Sequence, residues 1–243
     1  MALTFFWRCE GATLDHPGDD FSVGDITANL VTATIGTGAA RIGTNGLDCP
    51  TASNSAQFDS SGTVLVDRTE GAIGFWVRAN TSWPVANQWI AWADDGTGQN
   101  YVRIGSAGSG NVRLQIGTAT GPTNISLNTT GGPITTGNWF FIIGRWNHTA
   151  NSRAIEVYDN AMSLDAGSTE DLITSWTLPT ADLADTSRPR FGDLGGTDDD
   201  LNLDNIFIAD AYDEPIEDNA LIESYTQYGV SAGSGKLRPQ AML

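Results

Sequence analysis

Apolar side chains fall along this chain in short runs, and within most runs they alternate with polar ones. Gly, Asp, Asn and Ser close each run, which is how turns punctuate an all-β chain. Strands are predicted at 5–10, 39–43, 56–58, 63–66, 72–79, 88–92, 154–161, 190–192 and 203–210. Residues 101–104 and 112–116 read as a hairpin, with Gly, Ser, Ala and Asn between its arms. Period two turns Val102, Ile104, Leu114 and Ile116 inward and leaves Tyr101, Arg103, Arg113 and Gln115 together on the opposite face. The run 139–146 is apolar in both phases, so it is predicted to be a central strand covered on both sides. Only one stretch has helical period. It starts after Asp213-Glu214 with Pro215 near its first position, carries Ile216, Leu221, Ile222, Tyr225 and Tyr228 on one side, and stops at Gly229. Many short strands, one late helix and no βαβ rhythm predict an all-β, two-sheet β-sandwich with one short C-terminal helix. The domain is placed at 1–229 and a non-periodic C-terminal tail at 230–243.

Charge narrows the partners. The 243 residues carry 29 acidic and 12 basic side chains, for a formal net charge of -17. Such a chain is repelled by nucleic acid and by anionic membrane. No run of apolar residues is long enough to cross a bilayer as a helix. The opening residues lack the basic start, apolar stretch and cleavage site of a secretory leader, so synthesis without a recognisable signal peptide is expected. Cys9 and Cys49 are the only cysteines, and the sequence leaves open whether they form a bridge or stay as two buried thiols.

Four stretches, taken in order, resemble the laminin-G-like, concanavalin A-like jelly-roll family. Gly74-Phe75-Trp76-Val77-Arg78-Ala79 is similar to that family's early core strand. The run from Gly137 through Trp139 to Trp146 resembles its strand beginning Gly-x-Trp. Ala154 to Ala161 resembles its strand ending in Tyr-Val-Asp-Gly, with Asn160-Ala161 in place of the usual turn. Arg190-Phe191-Gly192 followed by Leu203-Asp204-Asn205-Ile206 resembles its closing strands, with Asn205 where a second Asp is common. The resemblance implies a jelly roll and, only loosely, a function, because one scaffold hosts lectins, enzymes and surface proteins. It also implies a structural Ca²⁺ between Glu10 and Asp204. Period two places Asp204 on the face of Ile206 and Ile208, where a carboxylate needs donors or a cation, and backbone N–H groups are the alternative to the metal.

The candidate chemistry is thin for an enzyme. Retaining glycosidases need two carboxylates about 5 Å apart, and no Glu-x-Asp-x-Glu run occurs. His16 and His148 sit in turn-like sequence, Asp198-Asp199-Asp200 reads as a solvated loop, and no Cys/His spacing suits zinc. Sugar recognition needs aromatic surfaces and bidentate polar groups. The outward residues Tyr101, Arg103, Arg113 and Gln115 form the candidate ligand face, with Trp83, Trp89 and Trp92 as candidate walls, although each Trp taken singly reads more readily as a core residue. Sequons at Asn80, Asn124, Asn128 and Asn147 mark expected surface loops. The leading expectation is a non-catalytic, lectin-like module for a glycan or surface protein, extracellular or at a virion surface. The alternatives are a structural decoration protein of a viral or other assembly, and a polysaccharide-active glycosidase or lyase. In the tail, Lys236 and Arg238 flanked by Leu237, Met242 and Leu243 suit docking on an acidic neighbour, a homo-oligomer partner or a virion subunit, the alternative being a tail folded back on its own domain.

Overall fold

The computed structural model describes residues 3–10, 21–22, 27–51, 53–59, 66–67, 69–84, 86–94, 101–117, 124–161, 163–165, 167–172, 189–192, 194 and 200–210. Sixteen strands lie among them. They are β1 (Leu3–Trp7), β2 (Phe21–Ser22), β3 (Thr27–Val31), β4 (Thr34–Gly36), β5 (Gly46–Cys49), β6 (Ser55–Asp59), β7 (Glu70–Ala79) and β8 (Trp89–Asp94), followed by β9 (Tyr101–Gly108), β10 (Asn111–Gly117), β11 (Asn124–Asn128), β12 (Trp139–Asn147), β13 (Ser152–Tyr158), β14 (Thr169–Leu172), β15 (Arg190–Gly192) and β16 (Leu201–Ala209). They form two sheets. The first runs β14-β13-β12-β7-β16-β1-β2, with β5 also on β16 and β4 on β5; the second runs β11-β10-β9-β8-β15-β6-β3. All the strand pairs are antiparallel. The all-β sandwich expected from the alternation is what forms.

The sheets pack face to face over one core. Phe75 and Val77 of β7, Phe140, Ile142 and Trp146 of β12, and Ile206 and Ile208 of β16 meet Ile90 of β8, Val102 and Ile104 of β9, and Leu114 and Ile116 of β10. At Gly144 a Cβ would lie 2.8 Å from Ile104 Cδ1, so the missing side chain is what lets the second sheet approach β12. The outer face of the first sheet is also apolar. Phe141 and Ile143 are buried there, Phe141 stacks on Phe207 at 6.0 Å and tilts against Trp76 and Tyr158, and Gly74 makes room, since a Cβ would sit 2.5 Å from the Phe207 ring. The two-phase apolar run at 139–146 is therefore a central strand with a second aromatic layer behind it, and Phe141 and Ile143 belong to that outer layer rather than to the inter-sheet core. Within it Arg145, fully buried, pairs with Glu156 at 2.5 Å, and the Tyr158 hydroxyl donates to Glu156 Oε2 at 3.4 Å.

Two expectations change. The stretch 39–43 is not a strand: Thr37–Ala39 form a 3₁₀ turn and the chain then loops to β5. Asp204 does not share a face with Ile206 and Ile208. A register shift between Asp204 and Phe207 inserts an extra residue, with Asn205 at φ 44°, so Leu201, Leu203, Ile206 and Ile208 point into the core. Asp204 lies on the outer face beside Trp76. A bulge of this kind takes an Asn readily, because Asn tolerates the left-handed region. It also marks where β16 changes partner, from Leu47–Cys49 of β5 to Phe5–Trp7 of β1 along the same edge. Cys9 and Cys49 are both buried in the core. Residues 63–65 of the expected strand at 63–66, the Asp198-Asp199-Asp200 run apart from Asp200, His16, the helix from Pro215 and the 230–243 tail lie outside the described residues, while Val66 is a buried core residue in a bend.

Candidate functional site

The outward face of the second sheet carries a row of side chains in register across five strands. Arg190 on β15 opposes Trp92 on β8, which opposes Arg103 on β9, then Gln115 on β10 and Ser126 on β11. Next to it stand Asp94 and Tyr101, a cross-strand pair, and on the other side Trp89, Gly105, Arg113 and Asn128. The hairpin phase read from the sequence is correct: Val102, Ile104, Leu114 and Ile116 are core residues and the four polar partners share the opposite face.

Arg103 is the centre of this face. Its guanidinium lies 3.7 Å from the centroid of Trp89, 4.1 Å from Tyr101 and 4.9 Å from Trp92. Its Nε donates to Gln115 Oε1 at 2.7 Å and its Nη2 to the same oxygen and to the Tyr101 hydroxyl at 3.3 Å. Gln115 is held in turn by donating from Nε2 to Ser126 Oγ at 2.9 Å. Burial pulls the Arg103 pKa below its usual value, Tyr101 and Asp94 oppose that, and Arg113 adds to it. Burial likewise raises the Tyr101 hydroxyl. Gly105 is what lets Trp89 lie flat on the sheet, because a Cβ there would come within 2.9 Å of the indole. Arg113 donates from Nε to Asn128 Oδ1 at 2.8 Å and from Nη1 to Asn87 Oδ1 at 2.5 Å. Arg190 has a carboxylate partner, Asp94, at 2.5 Å, and its guanidinium lies 5.1 Å from Trp92.

The structure thus brings together Tyr101, Arg103, Arg113, Gln115, Trp89 and Trp92. It sets Trp83 apart: the indole packs against the core and donates to Asn111 O at 3.0 Å. The expected open platforms are also different in kind, since Trp89 and Tyr101 are buried under Arg103 and serve to hold it, while Trp92 stays partly exposed. Arg190, Asp94, Asn87 and Asn128 are additions. The strand at 190–192 was legible, but nothing local says that it lies against β8 about a hundred residues earlier. The sequons are not loop sites in the simple sense. Asn124 and Asn128 lie in β11, Asn128 accepts from Arg113, Asn80 donates to Asp200 and Asn202, and Asn147 caps the turn after β12.

The implied calcium pair does converge on one loop. Asp204 Oδ2 accepts the N–H groups of Arg41 and Ile42, each at 2.8 Å, and Oδ1 accepts that of Asn205 at 2.8 Å. Glu10 accepts from Thr44 N at 2.8 Å and Asn45 N at 3.1 Å. Gly43, at φ 78°, has no room for a Cβ because the Glu10 carboxylate occupies that place. Arg41 lies 3.7 Å from the Trp76 centroid and bonds Asn160, so the loop is pinned from both sides. All four carboxylate oxygens face N–H dipoles, whose positive ends oppose a cation, and the described residues hold no cluster of three His, Cys, Asp or Glu. These residues do not fit a calcium centre. They form an internal anion hole closed by the chain's own carboxylates. Burial pushes the Asp204 carboxyl up to about 7, against the three N–H bonds and aided by the charge of Glu10.

Two antiparallel sheets stacked on one core, with neighbours far apart in sequence, make this a concanavalin A-like jelly-roll sandwich. No family model and no curated protein matches the chain by sequence. Solved structures share its fold. The binding domain of botulinum neurotoxin serotype D superposes with a TM-score of 0.65 at 13% identity, covering 92% of this chain and 52% of that one. A botulinum neurotoxin type C structure, described by the dependence of cell entry on two ganglioside molecules, gives 0.58 at 12% identity, with 92% and 51% covered. Trypanosoma rangeli sialidase gives 0.59 at 15% identity over 94% of this chain and 33% of that one. The chain spans about half the length of the toxin structures it resembles.

Proposed function

We propose that this protein is a non-catalytic, lectin-like module that binds glycan on the outer face of its second sheet. The observation that carries the reading is the row Arg190, Trp92, Arg103, Gln115 and Ser126, set in register across five strands. Guanidinium and amide groups fixed in one plane suit vicinal hydroxyls, and the partly exposed Trp92 suits the apolar face of a pyranose. The fold is shared with a toxin structure whose description ties cell entry to gangliosides. Binding rather than turnover is favoured because the one carboxylate of the row and its flanks among the described residues, Asp94, is paired with Arg190, whereas glycoside hydrolysis needs two working carboxylates. The test is a glycan array probed with the wild type and with the double variant Trp92→Ala, Gln115→Ala. Binding by the wild type that the variant loses, with cooperative unfolding retained, is expected. A wild type that binds no glycan overturns the reading.

A further inference from the structure

The charge on this face is out of keeping with the rest of the chain. With 29 acidic side chains against 12 basic ones, a guanidinium in this protein has carboxylates to spare. Arg190 takes one, Asp94, and Arg145 takes another, Glu156. Arg103 and Arg113 take none among the described residues. Each of their hydrogen bonds goes to a neutral acceptor: Gln115 and Tyr101 for the first, Asn128 and Asn87 for the second. Both side chains are only partly exposed, so water screens them less than it would on an open surface. They also stand close together. Arg103 opposes Gln115 and Arg113 opposes Gly105, which makes the two arginines diagonal neighbours, about 7–8 Å apart at the backbone. Like charges at that spacing repel, and Arg113 helps to lower the Arg103 pKa.

The same bonds hold both groups still while leaving hydrogen-bonding capacity unused. On Arg103, Nε and Nη2 are occupied and the plane is fixed between Trp89 and Tyr101, so Nη1 is without a partner among the described residues. On Arg113, Nε and Nη1 are occupied and Nη2 is the end without one. A pre-oriented guanidinium loses little entropy when it meets an anion, and the two remaining ends, one from each arginine, can each donate a charge-assisted bond to a carboxylate. We propose that Arg103 and Arg113 form an anion subsite for the carboxylate of an acidic glycan, so that the module discriminates acidic from neutral sugars. The inference rests on the proposed glycan-binding role of this face and adds to it the chemistry that the ligand must carry.

Two matched probe pairs separate the possible sources of the carboxylate. Trigalacturonic acid is compared with its methyl ester, and 3′-sialyllactose with lactose, by calorimetry on the full chain at low and high salt. The acidic member of at least one pair should bind about tenfold or more tightly than its neutral partner, and added salt should narrow the gap. Which pair responds assigns the carboxylate to a uronic or a sialic acid. Arg113→Ala should remove the preference while leaving the melting temperature near that of the wild type, because its partners Asn128 and Asn87 are neutral and exposed. Arg103→Gln should do the same, but Arg103 also fills the aromatic cradle, so Arg113→Ala is the decisive variant. Equal affinity within both pairs, or a preference that survives Arg113→Ala, overturns the anion subsite while the glycan reading stands. A protein that binds none of these probes and no sugar on the array overturns both.

Discussion

Asp204 offers the sharpest test of the physical reasoning. Its carboxylate is fully buried and accepts three backbone N–H bonds, from Arg41, Ile42 and Asn205. Asp204→Ala strands all three donors in a sealed site, and each stranded buried donor costs about 1–3 kcal/mol. The expected loss at pH 5 is about 3–5 kcal/mol. Asp204→Asn keeps one oxygen for Arg41 and Ile42 but turns an amide N–H₂ toward Asn205, so about 1–2 kcal/mol is expected. The pH dependence has a definite sign. Burial raises the folded carboxyl to about 7, whereas an unfolded Asp titrates near 3.9, roughly. Between those values the folded chain holds a proton that the unfolded chain has released, so this group's contribution is full below about 4 and is lost as pH rises to about 7. The deficit of either variant should therefore shrink between pH 5 and pH 8, by about 2–3 kcal/mol at most. Urea unfolding followed by Trp fluorescence at the two pH values reads both effects. An Asp204→Ala deficit under about 1 kcal/mol at pH 5 refutes the clasp. A deficit that grows with pH shows instead that the N–H bonds outweigh burial and that the folded protein prefers the carboxylate.

Further outcomes follow from the same packing. Because every carboxylate oxygen of Glu10 and Asp204 already accepts a backbone N–H, EDTA and added Ca²⁺ should both leave the melting temperature unchanged, and a shift of several degrees in scanning calorimetry would restore a metal site. Phe141→Ala should cost about 3–5 kcal/mol in denaturant melts, since the ring is fully buried among Trp76, Tyr158 and Phe207. Gly74→Ala should cost about 1–3 kcal/mol by driving a methyl into the Phe207 ring. Arg145→Met should cost about 3–5 kcal/mol by removing the guanidinium that neutralises the buried Glu156 carboxylate, and adding Glu156→Leu should recover much of the loss; a double variant no better than the single one would mean that the pair is not coupled.

The candidate site shows how far a local pattern reaches. The hairpin phase was legible because alternation within one strand decides which side chains leave the core, and the hydrophobic set fixes that choice strongly. The roles of Trp89 and Tyr101 were not legible. Whether an aromatic ring on the outer face lies open or is capped depends on which long side chain folds over it, and here Arg103 does so only because Gly105 lets Trp89 lie flat and Gln115 holds the guanidinium. Trp83, a candidate wall in the sequence, falls in a connection without a period, so no alternation could decide between the ligand face and the core. Its indole went to the core, and its N–H found Asn111.

Composition and periodicity alone determined an acidic all-β chain, the doubly covered strand at 139–146 and the shared face of Tyr101, Arg103, Arg113 and Gln115. Each of these depends on neighbours within a few residues, whose spacing the backbone geometry dictates. Tertiary structure decided the rest. It joined Arg190 to Asp94 across ninety-six residues, placed the 41–45 loop over two distant carboxylates, and put Asp204 on the outer face by means of one bulged residue. A bulge reverses the phase of every residue after it, and it forms where β16 must leave β5 and take up β1 along the same edge. That requirement comes from strand partners brought together by the fold, so no run of alternating residues contains it.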